Sequence, residues 1–83
     1  MRTCLHEVGA NLAVSFDGNS IIVSRYVRPL PFPGFDGEWQ DVVTFTNEQD
    51  WYASKYQKQI VGDDNVAMIV YHWLDIAESN QPA

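Results

Sequence analysis

Residues 65–78, NVAMIVYHWLDIAE, carry the densest apolar pattern in the chain and decide how the rest is read. Val66, Ile69, Val70, Trp73, Leu74 and Ala77 fall at i, i+3, i+4, i+7, i+8 and i+11, one face of a 3.6-residue period. Met68, Tyr71, His72, Asp75 and Glu78 fall mainly on the other side. The spacing predicts a helix over Asn65–Glu78, lying on a sheet. Asn65 or Asp64 can cap its first turn, where free N–H groups need an acceptor. Asp63 and Asp64 suit the positive end of the helix dipole. β-Branched Val and Ile are weak helix formers, so burial rather than propensity must hold it.

Upstream, the pattern changes to strands. Residues 2–8, RTCLHEV, alternate loosely and suggest a short edge strand. Residues 11–16, NLAVSF, and 21–27, IIVSRYV, flank Asp17-Gly18-Asn19-Ser20, a strong hairpin signal. Leu12, Val14 and Phe16 share one face. In the partner run Ile21, Val23 and Arg25 alternate with Ile22, Ser24 and Tyr26. Residues 28–39, RPLPFPGFDGEW, break the alternation. Three prolines at every second position forbid a central strand, so a long connection is expected, carrying Phe32, Phe35 and Trp39. Residues 41–45, DVVTF, form the next strand.

Thr46-Asn47-Glu48-Gln49 then fits a capping box, with Thr46 as N-cap and Gln49 at the third helical position. A helix over about 47–60 follows, with Tyr52, Ala53, Tyr56 and Ile60 as its apolar stripe and Gly62 as its stop. Trp51 sits beside that stripe, as a roof on the core or a surface ring. SNQPA reads as a fraying polar tail. Strands followed by two helices give an α+β domain spanning 1–83: an antiparallel sheet of three to four strands with two helices packed on one face. The other sheet face is expected to be open.

Composition narrows the function classes. At 83 residues, with 46% hydrophobic and 13% aromatic content, the chain fits one folded domain with a thin core. A single cysteine, Cys4, rules out an intrachain disulfide. Neither a signal-peptide run nor a membrane span is evident, so a soluble protein of the cytoplasm is expected. The net charge of -6 arises from 5 cations against 11 acids. Nucleic-acid binding, which needs cations to displace counterions from phosphates, is disfavoured. A basic protein partner is compatible.

Chemistry-bearing constellations are sparse. Cys4, His6 and His72 offer metal-ligand types, but no ligand spacing repeats and no fourth ligand is evident, so no metal site is expected. A Cys–His nucleophile pair is equally unconstrained. Asp75 and Glu78 lie a turn apart at a helix end, where solvated surface is the ordinary reading. Arg28-Pro29-Leu30-Pro31 starts like an SH3 ligand but lacks its last proline, since position 34 is Gly. Neither catalysis nor a cofactor is expected. Phe32, Phe35 and Trp39 are either a lid under the sheet or exposed anchors. Aromatics and arginine dominate interfaces, and Arg25, Tyr26 and Arg28 lie nearby in sequence.

The run NLAVSFDGNSI (11–21) followed by TFTNEQDW (44–51) resembles the small phage-encoded anti-CRISPR inhibitors of the type I-F surveillance complex. The likeness lies in the Asn-apolar-Ala-Val hairpin entry, the Gly turn with Ile after it, and the Thr-Glu-Gln helix start, and covers about half of the chain. It implies an antiparallel sheet backed by two helices. It also implies a non-enzymatic role in the host cytoplasm, in which the sheet face docks on a repeated backbone subunit and blocks target DNA. The family's docking tyrosine falls on Ser15 here and its docking glutamate on Tyr26; loop 28–39 has no counterpart. The expected partner surface is therefore Ser15, Arg25, Tyr26, Arg28, Phe32, Phe35 and Trp39. The competing expectation is an acidic immunity or antitoxin protein that neutralises a basic nuclease.

Overall fold

The computed structural model describes residues 2–9, 11–28 and 37–80. Four strands form an antiparallel meander in the order β1-β2-β3-β4: β1 His6–Val8, β2 Leu12–Phe16, β3 Ile21–Val27 and β4 Glu38–Phe45. Three helices follow: α1 Glu48–Ala53, α2 Gln57–Val61 and α3 Asp64–Ser79. The chain is α+β, with its helices packed on one side of the sheet.

The β2–β3 hairpin closes as its sequence dictates. Asp17 Oδ1 accepts from the N–H groups of Asn19 and Ser20 at 2.8 and 2.7 Å, and Gly18 supplies the positive φ of 104°. Leu12, Val14 and Phe16 of β2 and Ile21 and Val23 of β3 turn inward and are buried with Phe45 of β4.

α3 covers this face with Val66, Val70, Trp73, Leu74 and Ala77. Its ring Trp73 stacks on Phe16, with centroids 5.5 Å apart and planes 8° from parallel. The N-cap is Asp63, whose carboxylate accepts from Asn65 N and Val66 N. At the other end, Asn80 Nδ2 donates to Gly18 O at 2.9 Å and ties the helix to the hairpin turn.

The single helix expected over 47–60 is two short ones. Ser54 is extended (φ -76°, ψ 140°), and its hydroxyl accepts from Tyr56 N at 3.1 Å. That local bond competes with the helical ladder and breaks it. The break changes which side chains face inward. Trp51 is fully buried, edge-on to Phe45 and Tyr71 at 5.6 and 6.1 Å, while Tyr52 is 59% exposed. Trp51 therefore roofs the core, and Tyr52 and Ala53 leave the expected stripe. The cap also shifts by one residue. Asn47, not Thr46, accepts from Asp50 N at 2.9 Å. Gly62 does end α2, as its C-cap with right-handed φ of -64°.

β4 starts earlier than position 41. It takes in Glu38, Trp39 and Gln40, so Trp39 lies in a strand and not in a loop. Val43 pairs with Val23 but Asp41 pairs with Ser24, which leaves Val42 unopposed in a bulge. The bulge inverts the alternation of β4. Val43 and Phe45 face the core, whereas Asp41 and Trp39 turn to the outer face opposite Ser24 and Tyr26. β3 and β4 also outrun β2. Tyr26 and Val27 pair with Trp39 and Glu38 beyond the end of the β2 ladder, forming a two-stranded ribbon. Phe32, Phe35 and the remainder of positions 29–36, like the tail 81–83, lie outside the described residues.

Candidate docking surface

The outer sheet face divides into a sealed half and a projecting half. Small residues of β2 and β3, Ala13, Ser15 and Ser24, form the floor of the sealed half and are fully buried. Arg2 lies across them. Its Nε donates to Ser15 Oγ at 2.8 Å and its Nη2 to Ser24 Oγ at 3.2 Å. Its guanidinium also forks onto Asp41, at 2.8 and 3.1 Å. Ser24 Oγ donates to Asp41 Oδ1 at 2.8 Å. The bonds from Arg2 and Ser24 hold the Asp41 carboxyl below its ordinary value of 3.8. Ser15 is therefore floor beneath Arg2, not an exposed contact residue.

The projecting half is the ribbon. Tyr26 and Trp39, paired across β3 and β4, are half-buried with ring centroids 5.3 Å apart at 56°. Gly37 makes this possible. Its φ is 94°, and a Cβ there would collide with the Tyr26 hydroxyl and ring carbon Cζ. Arg28 is exposed at the end of β3.

Arg25 points the other way. It alternates with Ser24 and Tyr26, pairs with Leu12 and Gln40, and reaches the helix side of the sheet. There it shares a groove of about 360 Å³ with Asn11, Lys55, Tyr56 and Gln59. The expected surface thus separates. Tyr26 and Trp39 come together, Arg28 is next to them in the chain, Arg25 faces away, and Ser15 is covered.

Other candidates resolve individually. The His6 ring packs against Trp73 at 5.5 Å, Cys4 is exposed near the start of the chain, and His72 is exposed on α3. Among the described residues, the one trio of potential metal-ligand atoms lying within 4.8 Å of each other is Glu48, Asp75 and Glu78, all exposed. Glu78 has a structural task that the sequence does not reveal: its Oε1 accepts from Glu48 N at 3.0 Å and caps the start of α1. The Tyr52 hydroxyl is bonded to Tyr71 and sits near Glu48, which pushes its pKa above 10.0. None of the described helices is long and apolar enough to cross a membrane.

Sequence reasoning missed Arg2, Lys55 and Gln59. Their pairings cross 13 or more positions or depend on the break at Ser54. No family model, no curated protein and no solved structure matches this chain.

Proposed function

We propose that this chain is a non-enzymatic protein inhibitor of the anti-CRISPR type. In this reading it acts in the host cytoplasm, docks on a protein subunit of a type I surveillance complex and blocks target DNA. The observation that carries the reading is the β3–β4 ribbon, which presents the Tyr26–Trp39 pair beyond the helix-covered core, with Arg28 at its end. Paired aromatics beside an arginine have the composition of an interface anchor. The hairpin and helix-start resemblance supplies the target class.

A second reading has its own support. Asp17, Glu48, Asp50, Asp75 and Glu78 gather where the hairpin turn, the start of α1 and the end of α3 meet, and that end of the molecule is acidic. Such an end suits a basic nuclease, as an immunity protein requires. A mobility-shift assay separates the two. Purified type I-F complex is incubated with the protein, and target duplex DNA is then added. Loss of the shifted DNA band supports the inhibitor reading. An unchanged band with no co-elution on gel filtration removes it.

A further inference from the structure

Three of the five cations, Arg25, Arg28 and Lys55, converge on two adjoining grooves at the base of the ribbon. Arg25 and Lys55 line the groove of about 360 Å³. Arg25 and Arg28 line its neighbour of about 420 Å³, together with Tyr26 and Gln40. Asn11 lines both. Among the described residues, no aspartate or glutamate lines either groove. In a chain with 11 acids and 5 cations, a double groove that gathers three of the cations is not what composition alone would place there.

Among the described residues, none of these three cations is in an ion pair; the one ion pair there is Arg2–Asp41. The Lys55 ammonium lies 5.2 Å from the centre of the Tyr56 ring, against an aromatic face and not a carboxylate. On β4, the Glu38 Oε1 accepts from Gln40 Nε2 at 2.9 Å.

We infer that this double groove binds a carboxylate-rich segment of a partner protein. The inference deepens the docking role proposed above and rests on it for the partner being a protein. Two guanidinium forks match carboxylates, each able to take one in bidentate fashion. The Asn11 and Gln59 amides and the Tyr56 hydroxyl add polar groups suited to a peptide backbone. A nucleic-acid backbone fits less well, because three cations meet few phosphates.

The test is an amide ¹⁵N–¹H titration of the full chain with a hexaglutamate peptide. Parallel titrations use inorganic phosphate and a single-stranded oligonucleotide. Saturable shifts confined to the neighbourhood of Asn11, Arg25, Arg28, Lys55 and Gln59, weakened by added salt, are expected. The Arg25→Gln/Lys55→Gln double variant should bind at least tenfold more weakly while its spectrum stays dispersed. Lys55→Gln alone, on an exposed turn, should weaken binding in the same direction and serves if the double variant unfolds. Absent shifts, shifts unaltered in the variants, or equal affinity for phosphate or oligonucleotide each overturn the inference. Peptide binding by a protein that ignores the surveillance complex removes the proposed target and leaves the groove; the converse removes the groove alone.

Discussion

Trp51 gives the sharpest test of the packing. It is fully buried: Phe45 of β4 meets it on one side and Tyr71 of α3 on another. It joins α1 to the sheet and to α3. Yet its indole Nε1, also buried, has no hydrogen-bond partner among the described residues. Two opposing terms follow. Trp51→Ala removes the ring and leaves a cavity, at about 3–5 kcal/mol. Trp51→Phe loses three heavy atoms, about 2 kcal/mol of transfer energy at roughly 0.8 kcal/mol per buried carbon. It also deletes an unsatisfied donor whose burial costs about 1–3 kcal/mol. The two nearly cancel, so Trp51→Phe should change stability by less than about 1.5 kcal/mol. The whole domain is stable by about 4–12 kcal/mol at typical values per residue, so Trp51→Ala leaves it marginal or unfolded. Urea unfolding followed by far-ultraviolet circular dichroism measures both without relying on tryptophan emission. Equal, large losses for Phe and Ala would show that the N–H is satisfied and refute the reasoning. A loss below about 1 kcal/mol for Ala would show that Trp51 is not the link between α1 and the core.

Three further outcomes follow from local geometry. Asp63→Ala strips the cap from α3, whose Asn65 and Val66 N–H groups it serves, and should cost about 1 kcal/mol in the same urea assay; no loss would mean the cap is dispensable. Gly37→Ala forces a residue at φ 94° against the Tyr26 ring, and a cost of about 1 kcal/mol or more should lower the Tm by at least about 4 °C. An unchanged Tm would contradict that close approach. Asp17 and Asp41 both have folded pKa values held below 3.8, Asp17 by the Asn19 and Ser20 N–H groups and Asp41 by Arg2 and Ser24. Their stabilisation is complete above the unfolded value of 3.8 and is lost as pH falls through the lower folded values. Both are largely solvated, so each contributes a few tenths of a kcal/mol at most by analogy with exposed ion pairs. The Asp17→Asn/Asp41→Asn protein should show a shallower fall in urea midpoint below about pH 4 than the wild type, and an equal fall would remove these groups as its source.

The elements that rest on local chemistry were readable in the sequence. The α3 stripe needs only the 3.6 period: Val66, Val70, Trp73, Leu74 and Ala77 are buried as the spacing picks out, with Ile69 half-buried and Ala67 added. The hairpin needs only Asp17 and Gly18 between β-rich runs. The candidate surface depends on longer-range facts. One inserted residue, Val42, inverts β4, so Asp41 and Trp39 face outward although they share parity with the buried Phe45. Nothing in DVVTF signals that bulge. Arg2 seals Ser15 and Ser24 by reaching from the start of the chain, a pairing that no local pattern carries. The break at Ser54 turns on one hydroxyl winning a competition with a helical bond. It places Lys55 and Gln59 beside Arg25.

The central claim is that activity resides in the ribbon surface and not in a catalytic pocket. The most direct measurement is the dissociation constant of the type I-F surveillance complex for the wild-type protein and for Tyr26→Ala/Trp39→Ala, by biolayer interferometry, alongside the Tm of each. Truncating two anchor residues at about 2 kcal/mol or more apiece predicts a loss of several hundredfold in affinity, with the Tm moved by only a few degrees. Wild-type binding that survives the double substitution, or no wild-type binding at all, would contradict the account.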